Sequence, residues 1–250
     1  MPAGSAMARI QQRGRLIAGV DQNIYLFGYR DGQSGQLVGY DIDYVREIAR
    51  AIFGDPDRVQ FRAVNASTRI GVLQRGEVDL VADSMTITCE RREQVAFSTD
   101  YFDSGQRVLV PGGSPYRRIE DLGGRKVCAP ANTTSITTIA RVPARPVPVA
   151  VPDFTDCLVL LQQGQVDAIS TTDSILIGLL AQDPTTRMVG PRFTDEPHGL
   201  AFAKDQPDLV RFVNAVLERM RADGRWTAIY RRWLTALGPV PSPPRAEYLD

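Results

Sequence analysis

The sequence predicts an α/β protein with mostly parallel sheets, and three observations carry that expectation. β-prone apolar runs alternate with amphipathic stretches along almost the whole chain, the pattern of strand–helix–strand units. Two phrases, LQRGEVDLVADS at 73–84 and LQQGQVDAISTTDS at 161–174, repeat one unit of helix, glycine, strand and polar loop. The 250 residues are 43% hydrophobic and 23% charged, ordinary values for a chain that buries a real core as one large domain or two small ones.

The elements follow in order. RLIAGV (15–20) is an apolar β-prone run. In 41–53 the apolar residues Ile42, Val45, Ile48, Ala49, Ile52 and Phe53 form a helical stripe, with Asp41 as its expected N-cap. VQFRAV (59–64) alternates as a strand, 66–75 reads as helix, and EVDLVA (77–82) as strand. QRVLVP (106–111) is a strand, followed by a helical turn, a Gly-Gly break and the strand ending at KVCA. Helix is expected over 133–141, then a proline-rich connection into a strand, helix over 155–163, the strand VDAIS, helix over 173–181 and the strand RMVGP. Helices over 207–222, stopped by Asp223-Gly224, and over 225–237 precede an extended proline-rich end.

The repeated phrase has two readings. It is either a common αβ turn used twice, or the mark of two similar α/β lobes, each with a Gly C-cap before its strand. In the second reading Ser84 aligns with Thr172 at strand carboxyl ends, where open α/β sheets place their ligands.

Composition excludes several classes. The charges balance, 29 basic against 29 acidic, and no run of five like charges suits a nucleic acid or a membrane surface. Only Lys126 and Lys204 are lysine, an arginine bias that reflects genome composition rather than a phosphate site. No stretch approaches the eighteen or so apolar residues of a membrane span. The beginning, MPAGSAMARIQQRG, has no apolar core of a signal peptide, so the chain reads as cytosolic or as an exported product without its leader. Three cysteines without a CxxC, and His198 as the one histidine, give no metal site. Cys89, Cys128 and Cys157 are either buried small hydrophobes or one disulfide and a free thiol. There is no GxSxG, P-loop or GxGxxG, so no cofactor is expected, and His198 reads as structural.

Two polar stretches suit a small carboxylic acid. SMTITCERREQVAFS (84–98) sets Met85 and the hydroxyls of Thr86 and Thr88 near Arg91 and Arg92, just beyond a strand end. An arginine fork binds a carboxylate in bidentate fashion, more strongly than a neutral donor does. KVCAPANTTS (126–135) offers Asn132, Thr133, Thr134 and Ser135 at a helix start, as plain caps or as part of an anion site. Asp21 follows the first strand, with Tyr25 and Phe27 nearby as an apolar wall or as core.

GQLVGYDIDYVREIA, MTITCERREQVAFS and VRFVNAVLERMRADGRWTAIYRRWL together resemble the signature blocks of family 3 extracellular solute-binding proteins, over about 13–237. The ITCER, KVC and DCL contexts look most like the glutamine- and polar-amino-acid-binding lipoproteins of ABC transporters in GC-rich bacteria. The resemblance implies a two-lobed periplasmic-binding-protein fold of type II with two crossover hinge strands. Lobe 1 would be 1–110 and 194–250, and lobe 2 111–193. It implies that Arg91 clamps a ligand carboxylate, that Thr86 bonds the ligand, and that the Ser84 carbonyl accepts the ligand amine. Asp21 would sense the ligand side chain against Ile24 or Tyr25, and Thr133 and Thr134 would donate to the carboxylate. Thr172 stands where the family has an ammonium-binding aspartate, leaving Asp173 or Asp83 to supply the charge, and Asn132 stands where a glycine is common. A Cys128–Cys157 disulfide in lobe 2, with Cys89 free, is implied too. So is a monomeric cell-surface or periplasmic protein, held to the membrane only by a lipid anchor on a cysteine this chain lacks. The expected function is capture of glutamine, glutamate, aspartate or asparagine for an ABC permease. A nutrient sensor for a membrane partner, and a cyclohexadienyl dehydratase-like enzyme, are the alternatives.

Overall fold

The computed structural model describes residues 4–248; the first three and last two residues, which belong to the expected lobe 1, lie outside them. The chain divides into two compact units. Unit 1 holds the chain up to Gln22, Leu26–Asp103 and the return segment from Pro197, while unit 2 holds Asn23–Tyr25 and Ser104–Glu196. The passages therefore fall at 103/104 and 196/197, rather than at the expected 110/111 and 193/194.

The chain begins with a helix not expected from the sequence, α1 (Ala6–Arg13), capped by the Ser5 side chain. The strand β1 (Leu16–Val20) leads to three short strands, β2 (Asn23–Ile24), β3 (Gly28–Arg30) and β4 (Leu37–Val38). The helix α2 (Tyr40–Phe53) starts one residue before the expected position. Its N-cap is Gly39, whose φ is 134° and where a Cβ would lie 2.2 Å from the Phe27 carbonyl oxygen, so only glycine fits. Asp41 is thus inside the first turn and is not the cap, which releases its carboxylate for another use.

After β5 (Val59–Ala63) the helix α3 (Arg69–Gln74) is shorter than expected, because Asn65 and Thr68 bond each other's backbone and side chain in a turn. The strand β6 (Leu80–Ala82), the helix α4 (Cys89–Gln94) and β7 (Ala96–Phe97) complete the first passage. β8 (Phe102–Ser104) carries the chain out of unit 1. In unit 2, β9 (Gln106–Pro111), β10 (Lys126–Pro130), α5 (Thr134–Arg141), β11 (Val147–Val151), α6 (Phe154–Gln162), β12 (Ala168–Thr172), α7 (Asp173–Gln182) and β13 (Thr186–Val189) follow. β14 (Glu196–His198) returns the chain, and β15 (Ala201–Phe202), α8 (Pro207–Ala222) and α9 (Arg225–Trp233) finish unit 1. The helix expected over 225–237 ends at Trp233 and continues as a 3-10 turn.

Each unit has one five-stranded sheet, ordered β5-β1-β6-β15-β7 in unit 1 and β11-β10-β12-β9-β13 in unit 2. Both are mixed rather than mostly parallel. β5, β1 and β6 are parallel and β15 opposes β6; β11, β10 and β12 are parallel and β9 opposes both β12 and β13. Each sheet contains a strand adjoining a passage of the chain, and that strand enters against the direction of its neighbours. The proline-containing β11 takes an edge, where a missing N–H is tolerated.

Sheet alternation explains the apolar runs of unit 2. Val108, Val110, Val127, Ala129 and Ala168 pack in one core cluster, while Leu109, Cys128 and Ile169 pack in another with α6 and α7. Cys128 and Cys157 are disulfide-bonded within the second cluster, with Cα atoms 5.6 Å apart, and Cys89 is exposed.

The two copies of the repeated phrase make the same bonds in separate units. Gly76 and Gly164 are left-handed, at φ 65° and 67°, and donate to Leu73 O and Leu161 O. Asp79 accepts the Ile17 N–H on its carboxylate and donates its own N–H to Ile17 O; Asp167 makes the same pair with Lys126. The acid after the valine therefore fastens each phrase to a sheet strand, a role a common turn alone would not require.

Candidate ligand-binding site

The candidate residues fall into two sets. Asp21, Ser84, Met85, Thr86 and Arg91 belong to unit 1; Tyr25, Asn132, Thr133, Thr134, Thr172 and Asp173 belong to unit 2.

In unit 1, β6 ends at Ala82 and the next two residues are held firmly. Arg69, the first residue of α3, donates to the Asp83 carbonyl at 3.0 Å and to its carboxylate at 3.2 Å. Ser84 has a φ of 40°, a left-handed conformation uncommon for a residue with a side chain. Asp41 fixes it there: the Ser84 N–H and Oγ donate to one Asp41 oxygen at 2.9 and 3.3 Å, and Tyr101 Oη donates to the other at 2.5 Å. Asp41 is fully buried, and burial, with the neighbouring Asp83 charge, pushes its carboxyl up to about 6 against the pull of these donors.

The chain then runs beside the return segment. Met85 O accepts from Gly199 N at 3.0 Å, and Ile87 N donates to Pro197 O at 2.8 Å. Thr88 caps α4 by accepting the Arg91 N–H at 3.2 Å. Arg91 is 8% exposed, and its Nη1 donates to the Thr86 carbonyl at 2.8 Å, which fixes the plane of the guanidinium. The structure thus joins Thr86 and Arg91 directly. Asp21 is buried just past β1, and Gly28 lies so close to it that a Cβ would stand 2.6 Å from the Asp21 carbonyl oxygen.

In unit 2, Asn132 is left-handed at φ 60° and leads into α5. The Thr133 hydroxyl caps that helix, accepting from Ile136 N at 3.2 Å and donating to Pro130 O at 2.7 Å. The Thr134 hydroxyl donates to Glu196 at 2.9 Å. Both threonine hydroxyls are therefore engaged within the unit. Thr172 caps no bond of α7 with its side chain; its Oγ1 accepts from Ser174 Oγ at 2.9 Å. Asp173 is buried and bonded on both oxygens, to Arg192 Nε at 2.6 Å and Ser104 Oγ at 2.7 Å. Tyr25 lies on α7, where Gly178 leaves room; a Cβ there would stand 2.6 Å from Tyr25 O.

Both acids that could replace the aspartate expected at Thr172 thus carry an arginine: Asp83 has Arg69 and Asp173 has Arg192. Asp41, Arg69 and Glu196 were not among the sequence candidates. For Asp41 the signal was Gly39, whose obligatory place starts α2 a residue early; for Arg69 and Glu196 there was none.

His198 is fully buried, with its ring 5.7 Å from that of Phe102. No cluster of three or more metal-ligating side chains occurs among the described residues, and no described helix is long and apolar enough to cross a membrane.

Residues 16–236 match the model of the bacterial extracellular solute-binding proteins, family 3. The chain is similar to the ABC transporter glutamine-binding protein GlnH of Bacillus subtilis, 37% identical over 91% of this chain and 84% of that protein. It is also similar to a glutamine-binding protein of Geobacillus stearothermophilus, 34% identical over 80% of this chain and 77% of that one. Among solved structures, an ancestral arginine-binding protein bound to glutamine is 35% identical, with a TM-score of 0.83 over 89% of this chain and 98% of that one. The cysteine-binding protein of Campylobacter jejuni is 26% identical, with a TM-score of 0.87 over 93% and 94%. The match over almost the whole length, with the fold to go with it, places this chain in family 3 of the bacterial extracellular solute-binding proteins.

Proposed function

We propose that this protein captures a polar or acidic amino acid, of the glutamine, glutamate, aspartate and asparagine class, for an ABC importer, without a catalytic step. The observation that carries the reading is Arg91. It is a buried guanidinium at the carboxyl end of the unit 1 sheet, its plane set by Thr86 O, its helix capped by Thr88. A desolvated, oriented guanidinium favours a carboxylate far more than an exposed one does. In this reading Arg91 and the Thr86 hydroxyl hold the ligand carboxylate and the Ser84 carbonyl accepts the amine. Asp21 and Tyr25 meet the side chain. Unit 2 supplies backbone N–H groups at the start of α5, beside Asn132, since the Thr133 and Thr134 hydroxyls are already bonded. Thr172 contributes a hydroxyl beside Asp173.

The relatives named as glutamine- and glutamate-binding proteins support this ligand class, and their being named as binding proteins supports a role without turnover. The Cys128–Cys157 disulfide suits an oxidising compartment outside the cytoplasm. We read the protein as a monomer at the cell surface or in a periplasm, with any membrane attachment through a lipid. Titration calorimetry with each of the twenty amino acids tests the reading. Binding of one or a few of the named class is expected, and silence for all twenty would overturn it.

A further inference from the structure

We propose that Asp41 is a positioning residue of the ligand site, holding the Ser84 peptide in its left-handed conformation and lending the strand end a negative charge that favours a ligand ammonium. The inference rests on the amino-acid reading above and adds to it a residue outside the strand-end loops. Three observations carry it.

Asp41 does not do the work its sequence position suggests. α2 starts from Gly39, and the carboxylate of Asp41 leaves the helix to reach Ser84 and Tyr101. Two of its three bonds converge on Ser84, at φ 40° the residue whose carbonyl the functional reading assigns to the ligand amine. Those bonds hold the peptide on the N-terminal side of Ser84 and its side chain, and with them the left-handed φ of the residue from which that carbonyl projects.

The charge balance supplies the second observation. Asp83 and Asp173, the two acids the sequence offers in place of the aspartate expected at Thr172, are each bonded to an arginine. Asp41 is bonded by N–H and O–H donors only, so its negative charge is not neutralised locally. The first turn of α2 stabilises that anion through the helix dipole.

The third is chemical economy. An asparagine could accept from Ser84 without the penalty of ionising a fully buried group, so an aspartate that serves structure alone is the worse choice. The groups facing Asp41 are Tyr40 and Tyr44 on its own helix, Asp83 and Ser84 after β6, and Tyr101 before β8, with Arg69 of α3 beyond Asp83. None of them is a cation bonded to Asp41. Its ionised form accepts all three bonds; protonation turns one oxygen into a donor and weakens the hold on Ser84. Ligand affinity should therefore fall as the pH drops through about 6.

The test compares wild type and Asp41→Asn by calorimetry with the tightest-binding amino acid between pH 5 and 7.5, alongside thermal melting. The expected result is at least a tenfold loss of affinity for the variant at pH 7.5, no loss of melting temperature, and a pH dependence flatter than that of wild type. Affinity within twofold of wild type, or an unchanged pH profile, overturns the proposal. Should Asp41→Asn fail to fold, Tyr101→Phe removes one donor to the carboxylate. It should move the midpoint of the affinity profile to higher pH, and an unmoved midpoint overturns the proposal. A wild type that binds none of the twenty amino acids overturns the functional reading and this role with it. A wild type that binds, with a variant that binds equally well, overturns only the role of Asp41.

Discussion

In the proposed reading, Arg91 is a single side chain made ready for a ligand. Thr88 caps its helix and Thr86 O fixes its guanidinium, so little conformational freedom remains to be lost on binding. Truncation leaves a carboxylate without its partner in a desolvated place, a loss of about 3 kcal/mol or more, roughly a hundredfold in affinity. Arg91→Ala should therefore weaken binding by roughly a hundredfold or more in calorimetry while the melting temperature changes little; retained affinity would remove Arg91 from the proposed site. The grouping of Arg91 with Thr86 and Thr88 was legible in the sequence because the three lie within one short block. Asp41 was not, because Ser84 stands 43 residues away and Tyr101 60, and only the fold brings them together.

Among elements, the repeated helix–glycine–strand unit was legible because the bonds that close its helix are local. Gly76 and Gly164 close their helices in the left-handed conformation, and Asp79 and Asp167 each tie the following strand to a neighbour. The strands β2 to β4 were not legible, since runs of two or three residues carry no periodicity. Nor was the membership of Asn23–Tyr25 in unit 2, which depends on the bare face of α7 at Gly178. The disulfide joins β10 to α6 across a separation of 29 residues, inside one core cluster. A crosslink closing a loop of that size contributes about 3–4 kcal/mol by chain entropy. Calorimetric melting of Cys128→Ala/Cys157→Ala should accordingly show the unit 2 transition lowered and that of unit 1 in place. A uniform shift of both, or none, would contradict the confinement of the bond to unit 2.

For the molecule as a whole, the sign of its pH dependence follows from its buried acids. Burial raises Asp41 to about 6, raises Asp100 to about 7 with help from Asp103, and raises Asp79; all three lie in unit 1. A carboxyl whose folded pKa is raised binds its proton more tightly in the folded state, so stability falls as pH rises from the unfolded value through the folded one. For Asp41 the raise from 3.8 to about 6 amounts to about 3 kcal/mol lost by pH 7. The acids held below their usual values, Asp31, Glu77, Asp183 and Asp223, act in the opposite sense only as pH drops below about 4. Thermal melting should therefore show greatest stability near pH 4, and a maximum near pH 8 would contradict these burials. A site that keeps costly ionised groups is consistent with one that binds a charged ligand. The most direct measurement is a crystal structure of the protein grown with glutamine or glutamate. It should place the ligand carboxylate on the Arg91 guanidinium and the amine roughly 3 Å from the Ser84 carbonyl oxygen. A bound amino acid whose carboxylate lies away from Arg91 would contradict the account.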